Sequence, residues 1–339
     1  MALASLGWRA LGGLPFLAIV AGCTGAATQF PAQSPVAVLP LTLQGSAADV
    51  ERFSRAAKGP EHSWMLPDAK SKDLLYISDF DTNDVYIFSY PQGKLEGTLT
   101  GFKSPLGECT DKNNDVFITD ELESEILEYA HGGTRPIATL RELRYDPRDC
   151  SIDPTTGNLA VVNNAVYSDA SIGVFLQARG KAVEYSTDLK PAFFGSYDGK
   201  GDVIVGGWVN GSGVGFVELK KGAKSVRDFT LNESFSYPGG IKWDGKHLAV
   251  GDADTSVVYE FSLKGSAGTE VGETSLGGGG YPENYCIYGS QLIAPTWFGS
   301  VSGAVLFYNY PAGGLPTKTI QNSALEYPFG AALSLHSAL

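Results

Sequence analysis

An internal repeat constrains the fold of this chain more than any other feature. Six prolines recur at intervals of 42 to 47 residues. They are Pro105, Pro147, Pro191, Pro238, Pro282 and Pro328. A second marker is a β-rich segment that occurs once per unit, in the order "LLYISD", "DVFITD", "NLAVVN", "DVIVGG", "HLAVGD" and "QLIAPT". A period of this length indicates a repeat architecture in which each unit packs on its neighbours.

Each unit contains further strand-like segments around this marker. A short apolar stretch follows the proline, and a third β-rich segment ending in glycine follows the marker, as in "VVYEFSLKG". A weaker fourth segment closes the unit. Four short strands per repeat are typical of propeller blades, which bury their faces only by packing around an axis. The sequence predicts an all-β fold, a six-bladed β-propeller of four-stranded antiparallel blades, with seven blades as the alternative.

Two segments compete for the innermost position of the first blade. The C-terminal "YPFGAALSLHSAL" has the pattern of an innermost strand and would cover an edge that the N-terminal blade otherwise leaves unpaired. The segment "HSWMLPDA" (62–69) has a similar pattern. The sequence leaves both arrangements open.

The stretch "SPLGECTDKNNDVFITD" (104–120) concentrates polar residues as a metal or catalytic loop would. The repeat instead places "KNND" in the hairpin turn between two strands. Asn and Asp tolerate left-handed backbone and satisfy the amides of a turn. We therefore predict that Asp111, Asn113, Asn114 and Asp115 are turn residues.

The N-terminal segment has the pattern of a bacterial secretion signal. Its single charge is Arg9, and the apolar run 10–20 is shorter than the ~20 residues that span a bilayer. The run ends in "VAGC", which resembles the lipobox whose cysteine, here Cys23, accepts lipid. An ordinary secretory signal is the alternative. Thr24, in place of aspartate, implies by this resemblance the outer membrane.

This pattern divides the chain into three parts. We expect residues 1–22 to be a lipoprotein signal peptide, residues 23–59 to be the lipidated cysteine and a flexible tether, and residues 60–339 to be the propeller. The predicted location is the bacterial cell envelope, with a lipid anchor in the membrane. The protein would face the periplasm from the outer membrane or lie at the cell surface.

Charge and motifs narrow the classes of function. A net charge of −12 repels phosphate backbones, so nucleic acid is not an expected partner. The sequence contains no Gly-x-Ser-x-Gly elbow and no Walker-type phosphate loop. The histidines show no metal-binding spacing: His62, His131, His247 and His336. We expect a monomeric binding protein that carries out no evident chemistry.

One face of the predicted propeller gathers polar and aromatic side chains. The proline-led corners and the ends of the second strands share this face, and the predicted ligand-binding residues there are Asp79, Asp120, Asn163, Trp208, Asp252 and Trp297. Indole rings stack on flat ligands, and carboxylates bind hard cations such as Ca²⁺. The expected partner is an envelope protein or a glycan. The alternative is that these Asp and Asn residues cap turns.

The repeat unit resembles NHL-type repeats, on the basis of "PLGECTDKNNDVFITD", "PGGIKWDGKHLAVGD" and "YISD". Gluconolactonase-like enzymes are similar in their six-bladed shape. That resemblance implies a divalent metal at the channel mouth, held by residues at the positions of Glu108 or Glu283, Asn284 and Asp149. It also implies the alternative function, a metal-dependent hydrolase of lactonase type.

The three cysteines after Cys23 occupy nearly the same place in their repeats. Cys109, Cys150 and Cys286 each follow the repeat proline by three or four residues. Repeat position explains them as small buried residues. In an oxidising compartment a disulfide between Cys109 and Cys150 is the alternative, and it requires Cα atoms within ~7 Å of each other.

Overall fold

The computed structural model describes residues 62–141, 146–164, 170–209, 213–297 and 303–336. All of them belong to a compact unit of residues 47–339. The predicted signal peptide, Cys23 and the tether lie outside the described residues. Within the described ranges, no helix has the length and apolar character needed to cross a membrane.

The described chain is built from strands that form groups of four in chain order. The strands of the first half are β1 (Trp64–Met65), β2 (Asp73–Asp79), β3 (Asp84–Tyr90), β4 (Leu95–Leu99), β5 (Pro105–Thr110), β6 (Val116–Asp120), β7 (Glu125–Tyr129), β8 (Pro136–Arg141), β9 (Asp146–Ile152), β10 (Leu159–Asn164), β11 (Ser171–Phe175) and β12 (Val183–Ser186).

The second half continues the same pattern. Its strands are β13 (Leu189–Tyr197), β14 (Val203–Val209), β15 (Gly213–Leu219), β16 (Arg227–Leu231), β17 (Pro238–Trp243), β18 (Leu248–Asp252), β19 (Val257–Lys264), β20 (Ala267–Ser275), β21 (Cys286–Tyr288), β22 (Gln291–Thr296), β23 (Ala304–Asn309), β24 (Lys318–Gln321) and β25 (Pro328–Ser334).

Each group is an antiparallel meander whose strands pair with their neighbours in sequence. The groups are β5–β8, β9–β12, β13–β16, β17–β20 and β21–β24, and a further group combines β25 with β2, β3 and β4. The outer strands of two groups, β16 and β20, pair in parallel at Thr230 and Leu231, so these two groups form one eight-stranded sheet. The prediction of an all-β propeller is confirmed.

The competition for the innermost place beside β2 is resolved in favour of the C-terminal segment. β25 pairs antiparallel with β2, with Tyr76 opposite Ala332. The expectation that residues 62–69 supply an innermost strand is wrong, because Trp64 and Met65 pair with β4 at the outer edge of the same sheet. A short edge strand there exposes few unpaired backbone groups.

The hydrophobic core lies between successive groups, as the propeller principle requires. Val162 of β10 packs in one cluster with Val205 of β14, and Ala249 of β18 with Leu306 of β23. Ile77 of β2 and Ile293 of β22 share another cluster, which joins the last group to the first. Second strands are therefore covered on both faces; β6, β10 and β18 are buried along their whole lengths.

Innermost strands contact one another in sequence order around the axis. β5 contacts β9, β9 contacts β13, β13 contacts β17, and β17 contacts β21. β21 contacts β25, and β25 contacts β5. The innermost strands therefore form a continuous circuit around a central channel.

The polar turn between β5 and β6 has the predicted role. The Asp111 carboxylate accepts hydrogen bonds from the main-chain N–H groups of Asn113 at 2.8 Å and Asp115 at 2.9 Å. Asn114 adopts a left-handed conformation, with φ of 64°. These contacts satisfy the turn internally, and the prediction is confirmed.

Candidate functional site

Three of the predicted face residues, Asp79, Asp120 and Asp252, cap the proline-led corners. Each is buried at the end of a second strand, opposite the proline that begins the innermost strand. Asp120 accepts the main-chain N–H of Ser104 at 2.9 Å, and Asp252 accepts that of Ser236 at 2.7 Å. The alternative interpretation, turn capping, therefore describes these carboxylates.

Asp79 makes the same cap at the point where β25 joins β2. Its Oδ2 accepts the N–H of Glu326 at 2.8 Å, and its Oδ1 accepts that of Thr82 at 3.1 Å. Burial raises the pKa of Asp79 to about 6, although these N–H donors oppose the rise. Asn163 is also buried, and its Nδ2 donates to the Ser171 hydroxyl at 3.2 Å. These polar side chains stabilise the corners and strand ends.

The same face carries a cluster of partly exposed aromatic side chains, which we call the aromatic rim: Trp208, Tyr237, Tyr281, Trp297 and Tyr327. Trp297 stacks on Tyr327 with a centroid distance of 4.2 Å and an interplanar angle of 15°. Tyr281 meets Trp297 edge-on at 5.7 Å, and Trp208 meets Tyr237 edge-on at 5.8 Å. The two predicted tryptophans thus belong to a larger aromatic surface.

Sequence reasoning missed the tyrosines of the rim, although they carry a signal. Tyr237, Tyr281 and Tyr327 each directly precede a repeat proline, in three consecutive units. The other three prolines follow Ser104, Asp146 and Lys190, which are small or charged. The aromatic rim therefore occupies one side of the face, and the residue before the proline distinguishes the two sides.

A buried ion pair lies beneath the aromatic rim. Nη2 of Arg148, at the start of β9, lies 3.4 Å from Oε1 of Glu283, and Trp297 donates its indole N–H to Glu283 Oε2 at 2.7 Å. The Arg148 guanidinium lies over the rings of Phe193 at 4.8 Å and Phe329 at 5.1 Å. These contacts hold the Arg148–Glu283 pair in place against the phenylalanine rings and against Trp297 of the aromatic rim.

Burial governs the ionisation of this layer. It raises the pKa of Glu283, and the Arg148 guanidinium and the Trp297 N–H oppose that rise. Burial also raises the pKa of Tyr237, and the nearby Glu283 carboxylate raises it further. The rim tyrosines are therefore neutral hydrogen-bond donors at physiological pH.

The other end of the channel contains a cavity of about 330 Å³. Glu108, Lys242, Cys286 and the Cys109–Cys150 pair are among its lining residues. The cysteine pair forms a disulfide, with Cα atoms 5.7 Å apart, that links β5 to β9. Cys286 is a free thiol, and burial raises its pKa to about 12. A thiol in this state is a weak nucleophile.

Two carboxylates share one ammonium in this cavity wall. Lys242 Nζ lies 3.3 Å from Oδ1 of the fully buried Asp149, whose Oδ2 also accepts the N–H of Gly195 at 3.2 Å. Glu108 is buried as well, and neither of its carboxylate oxygens has a side-chain hydrogen-bond partner among the described residues. Burial raises the pKa of Glu108 well above its usual value, and Lys242 and the Ala332 N–H oppose the rise.

The four residues proposed for a metal by family resemblance are distributed over separate contacts. Glu283 is paired with Arg148, and Asp149 with Lys242. Asn284 is buried, and its Oδ1 accepts the N–H of Tyr285 at 2.9 Å. Of the three carboxylates, Glu108 alone has no side-chain hydrogen-bond partner among the described residues.

A different set of potential ligands comes together at the outer part of the β17–β20 group. Asp244, His247 and Glu260 place one ligand atom each within 4.8 Å of the others, and they form the only such group of three His, Cys, Asp or Glu among the described residues. The spacing of the histidines along the sequence does not indicate this group. Glu260 lies in the third strand, so a search for short local spacing misses it.

Comparison with known proteins identifies the fold class. No family model and no curated protein matches the sequence. Among solved structures, a chain of a nidogen/laminin complex matches with a TM-score of 0.62 and 15% identity, over 78% of this chain and 100% of its own length. These matches show a β-propeller fold.

Two bacterial proteins give similar agreement. A protein of unknown function from Bacteroides caccae matches with a TM-score of 0.59 and 11% identity, over 78% of this chain and 99% of its own. A functionally unknown protein from Desulfotomaculum acetoxidans matches with a TM-score of 0.54 and 14% identity, over 81% and 89%. At these identities the likeness concerns the fold alone.

Proposed function

We propose that this protein is a cell-envelope lipoprotein whose propeller binds a protein partner through the aromatic rim. The observation that carries the proposal is the set of five partly exposed aromatic side chains above a buried Arg–Glu pair. Trp, Tyr and Arg are the residues most enriched at the energetic centres of protein interfaces.

The rim is organised before any partner arrives. Trp297 is held on one side by stacking on Tyr327 and on the other by its hydrogen bond to Glu283. Aromatic side chains have few rotatable bonds, so fixing them on binding costs little conformational entropy. The nidogen/laminin structure supports the proposal at the level of fold, since it is the structure of a protein complex.

The six strand groups are, in this proposal, six blades of one closed ring. The circuit of contacts from β5 through β21 to β25 supports that count. We further propose that Cys23 carries lipid and that residues 24–59 tether the propeller to the membrane. Lipid chains contribute ~0.8 kcal/mol per buried methylene, so two or more chains would hold the domain durably.

The anchor is tested independently of the binding face. The full-length chain and Cys23→Ser would be expressed in a bacterial host with an alkyne-labelled fatty acid. We expect the label on the first and its loss from the variant, which should also leave the membrane fraction. Equal labelling of both would refute lipidation at Cys23.

The face is tested by capture of partners from envelope extracts with Trp208→Ala and, as matched control, Tyr288→Ala. Tyr288 is an exposed aromatic residue of similar size at the cavity end of the channel. Truncating an interface centre typically costs about 2 kcal/mol or more, which is about thirtyfold in Kd. We expect Trp208→Ala to weaken partner binding by at least about tenfold in Kd while the variant keeps the circular dichroism spectrum of the folded protein.

Two results would overturn this assignment. One is a partner lost with Tyr288→Ala and kept with Trp208→Ala, which would move binding to the other end of the channel. The other is binding to purified envelope glycans with no protein captured, which would make the ligand a carbohydrate.

Glu108 favours one further candidate, the metal-dependent hydrolase of lactonase type. Its carboxylate has no side-chain hydrogen-bond partner among the described residues, and the residue lines a cavity large enough for a small substrate. A cation bound between Glu108 and Asp149 would compete with the Lys242 ammonium for the same carboxylate. Lactone hydrolysis that requires Ca²⁺ or Zn²⁺ and is abolished by Glu108→Gln would support this function. If neither the wild type nor the variant hydrolyses lactones, with or without these metals, the function is excluded.

A further inference from the structure

We propose that Asp244, His247 and Glu260 form a binding site for a divalent transition metal, with Zn²⁺ the best fit. Asp244 follows β17, His247 precedes β18, and Glu260 lies on β19, so the three side chains come from adjacent segments of one sheet. One imidazole and two carboxylates are ligands that Zn²⁺ accepts in proteins. This site is separate from the aromatic rim and from the channel cavity.

The spacing of the ligand atoms fits a bound ion better than direct hydrogen bonds. His247 Nδ1 lies 3.7 Å from Asp244 Oδ2 and 3.6 Å from Glu260 Oε2. Both distances exceed the range of a nitrogen–oxygen hydrogen bond. Ligands at about 2.1 Å from a tetrahedral Zn²⁺ are separated by about 3.4 Å, and both distances from His247 are close to that value.

A comparison of Glu260 with the glutamates at the same position in two other strand groups shows that Glu260 lacks the arginine or lysine partner that they have. Glu128, Glu218 and Glu260 occupy the same register on the third strands of three groups, opposite Phe117, Ile204 and Ala249. Glu128 is paired with Arg179. Glu218 is paired with Lys220 at 2.6 Å and with Arg227 at 2.9 Å. Two of the three buried glutamates therefore have a permanent cation.

Glu260 differs because its neighbours add negative charge. Its only ion-pair partner among the described residues is His247, and the Asp244 carboxylate lies beside it. Burial and the Asp244 carboxylate raise the pKa of Glu260, and His247, the Thr274 hydroxyl and Lys246 oppose the rise. A divalent cation would supply the positive charge that arginine and lysine supply at the other two positions.

The site also has a free buried acceptor and an ordered second layer. Glu260 is 6% exposed, and its Oε1 has no hydrogen-bond partner within the described part of the chain. The residue opposite it on β20 is Gly272, so no side chain from that position stands against the carboxylate. The Tyr310 hydroxyl donates to Asp244 Oδ2 at 2.9 Å, an orienting contact typical of metal ligands.

The experiment uses full-length protein without a polyhistidine tag, stripped with a chelator and titrated with Zn²⁺ by calorimetry. Bound metal is counted by elemental analysis after gel filtration. The variants are His247→Gln and Glu260→Gln. The matched controls are His131→Gln, a partly buried histidine elsewhere, and Glu218→Gln, the equivalent glutamate with permanent cation partners.

We expect one Zn²⁺ per chain in the wild type and in both controls. His247→Gln and Glu260→Gln should weaken Zn²⁺ binding at least about tenfold and abolish the Zn²⁺-dependent rise in melting temperature. The proposal is overturned if the wild type binds no Zn²⁺. It is also overturned if either variant binds Zn²⁺ as tightly as the controls, or if the wild type binds Ca²⁺ more tightly than Zn²⁺.

Discussion

The two ends of the central channel differ in how their buried carboxylates are paired with cationic side chains. Beneath the aromatic rim, one guanidinium meets one carboxylate, and the pair is enclosed by phenylalanine rings. At the cavity end, Glu108 and Asp149 have one ammonium, that of Lys242, between them. We call the first end the balanced end, because its guanidinium and carboxylate charges are equal in number, and there the pair holds the aromatic rim in a fixed arrangement. We call the cavity end the acid-rich end, because it has two carboxylates for one ammonium, and its unbalanced carboxyl group makes part of the protein's stability depend on pH.

The largest effect is expected from Arg148→Met, which tests the balanced end. The substitution leaves Glu283 buried with no cation, and breaking a buried pair costs about 3 to 5 kcal/mol. The free energy of unfolding in urea at pH 7 should fall by that amount. Arg141→Met is the control, because Arg141 pairs with Glu125 at the surface and should lose less than about 1 kcal/mol.

The double variant Arg148→Met/Glu283→Gln sharpens this result. The introduced amide would keep an acceptor for the Trp297 N–H and carry no charge, so most of the lost stability should return. If the double variant is as unstable as Arg148→Met alone, the damage comes from lost packing on the phenylalanines and not from the unpaired charge.

The covalent link at the cavity end gives the next largest effect. Cys109 and Cys150 are 41 residues apart in sequence, and closing a loop of that length stabilises a fold by about 3 to 4 kcal/mol. Cys109→Ala/Cys150→Ala should lower the free energy of unfolding by that amount. Cys286→Ala, which removes the free thiol in the same wall, should cost about 1 kcal/mol. Three free thiols in the mature, non-reduced protein by mass spectrometry would contradict the disulfide.

The smallest effect is a gain at the acid-rich end. The pKa of Glu108 is raised in the folded state, so its contribution is fully present below the unfolded value of about 4.5 and is lost as pH rises towards the folded value. Gln cannot ionise and avoids this loss. Glu108→Gln should therefore match the wild type near pH 4 and be more stable than the wild type at pH 7.

This gain is measured by urea unfolding from pH 4 to pH 8. The exposed Glu123→Gln is the control and should stay within about 0.5 kcal/mol of the wild type at each pH. A stability difference for Glu108→Gln that does not change with pH would show that Glu108 has the same affinity for protons in the folded and unfolded chain.

Much of the fold was predictable from the sequence because the repeat imposes one packing solution on every unit. The prolines, the β-rich second segments and the polar turn at Asp111 all have the predicted positions. The placement of residues 62–69 was not predictable. A short apolar segment pairs equally well with an inner or an outer edge, and only the competing β25 decides between them.

The site was less predictable, since side-chain roles depend on contacts between distant units. Asp120 and Asp252 have the residue type of a ligand site, yet their carboxylates cap corners 16 residues earlier in the chain. Arg148 and Glu283 meet across 135 residues, and no local pattern marks the pair. The Tyr-Pro corners were visible in the sequence and indicate the aromatic side of the face.

The pairing of β2 with β25 has a consequence for biosynthesis. Glu326 donates to Asp79 across 247 residues, so the inner edge of β2 has no partner until nearly all of the chain has been made. At ~5–20 residues per second, a ribosome needs roughly 12 to 50 s to cover that distance. During this interval the edge is open to pairing with other chains, and a chaperone or export factor that keeps the nascent chain unfolded would protect it.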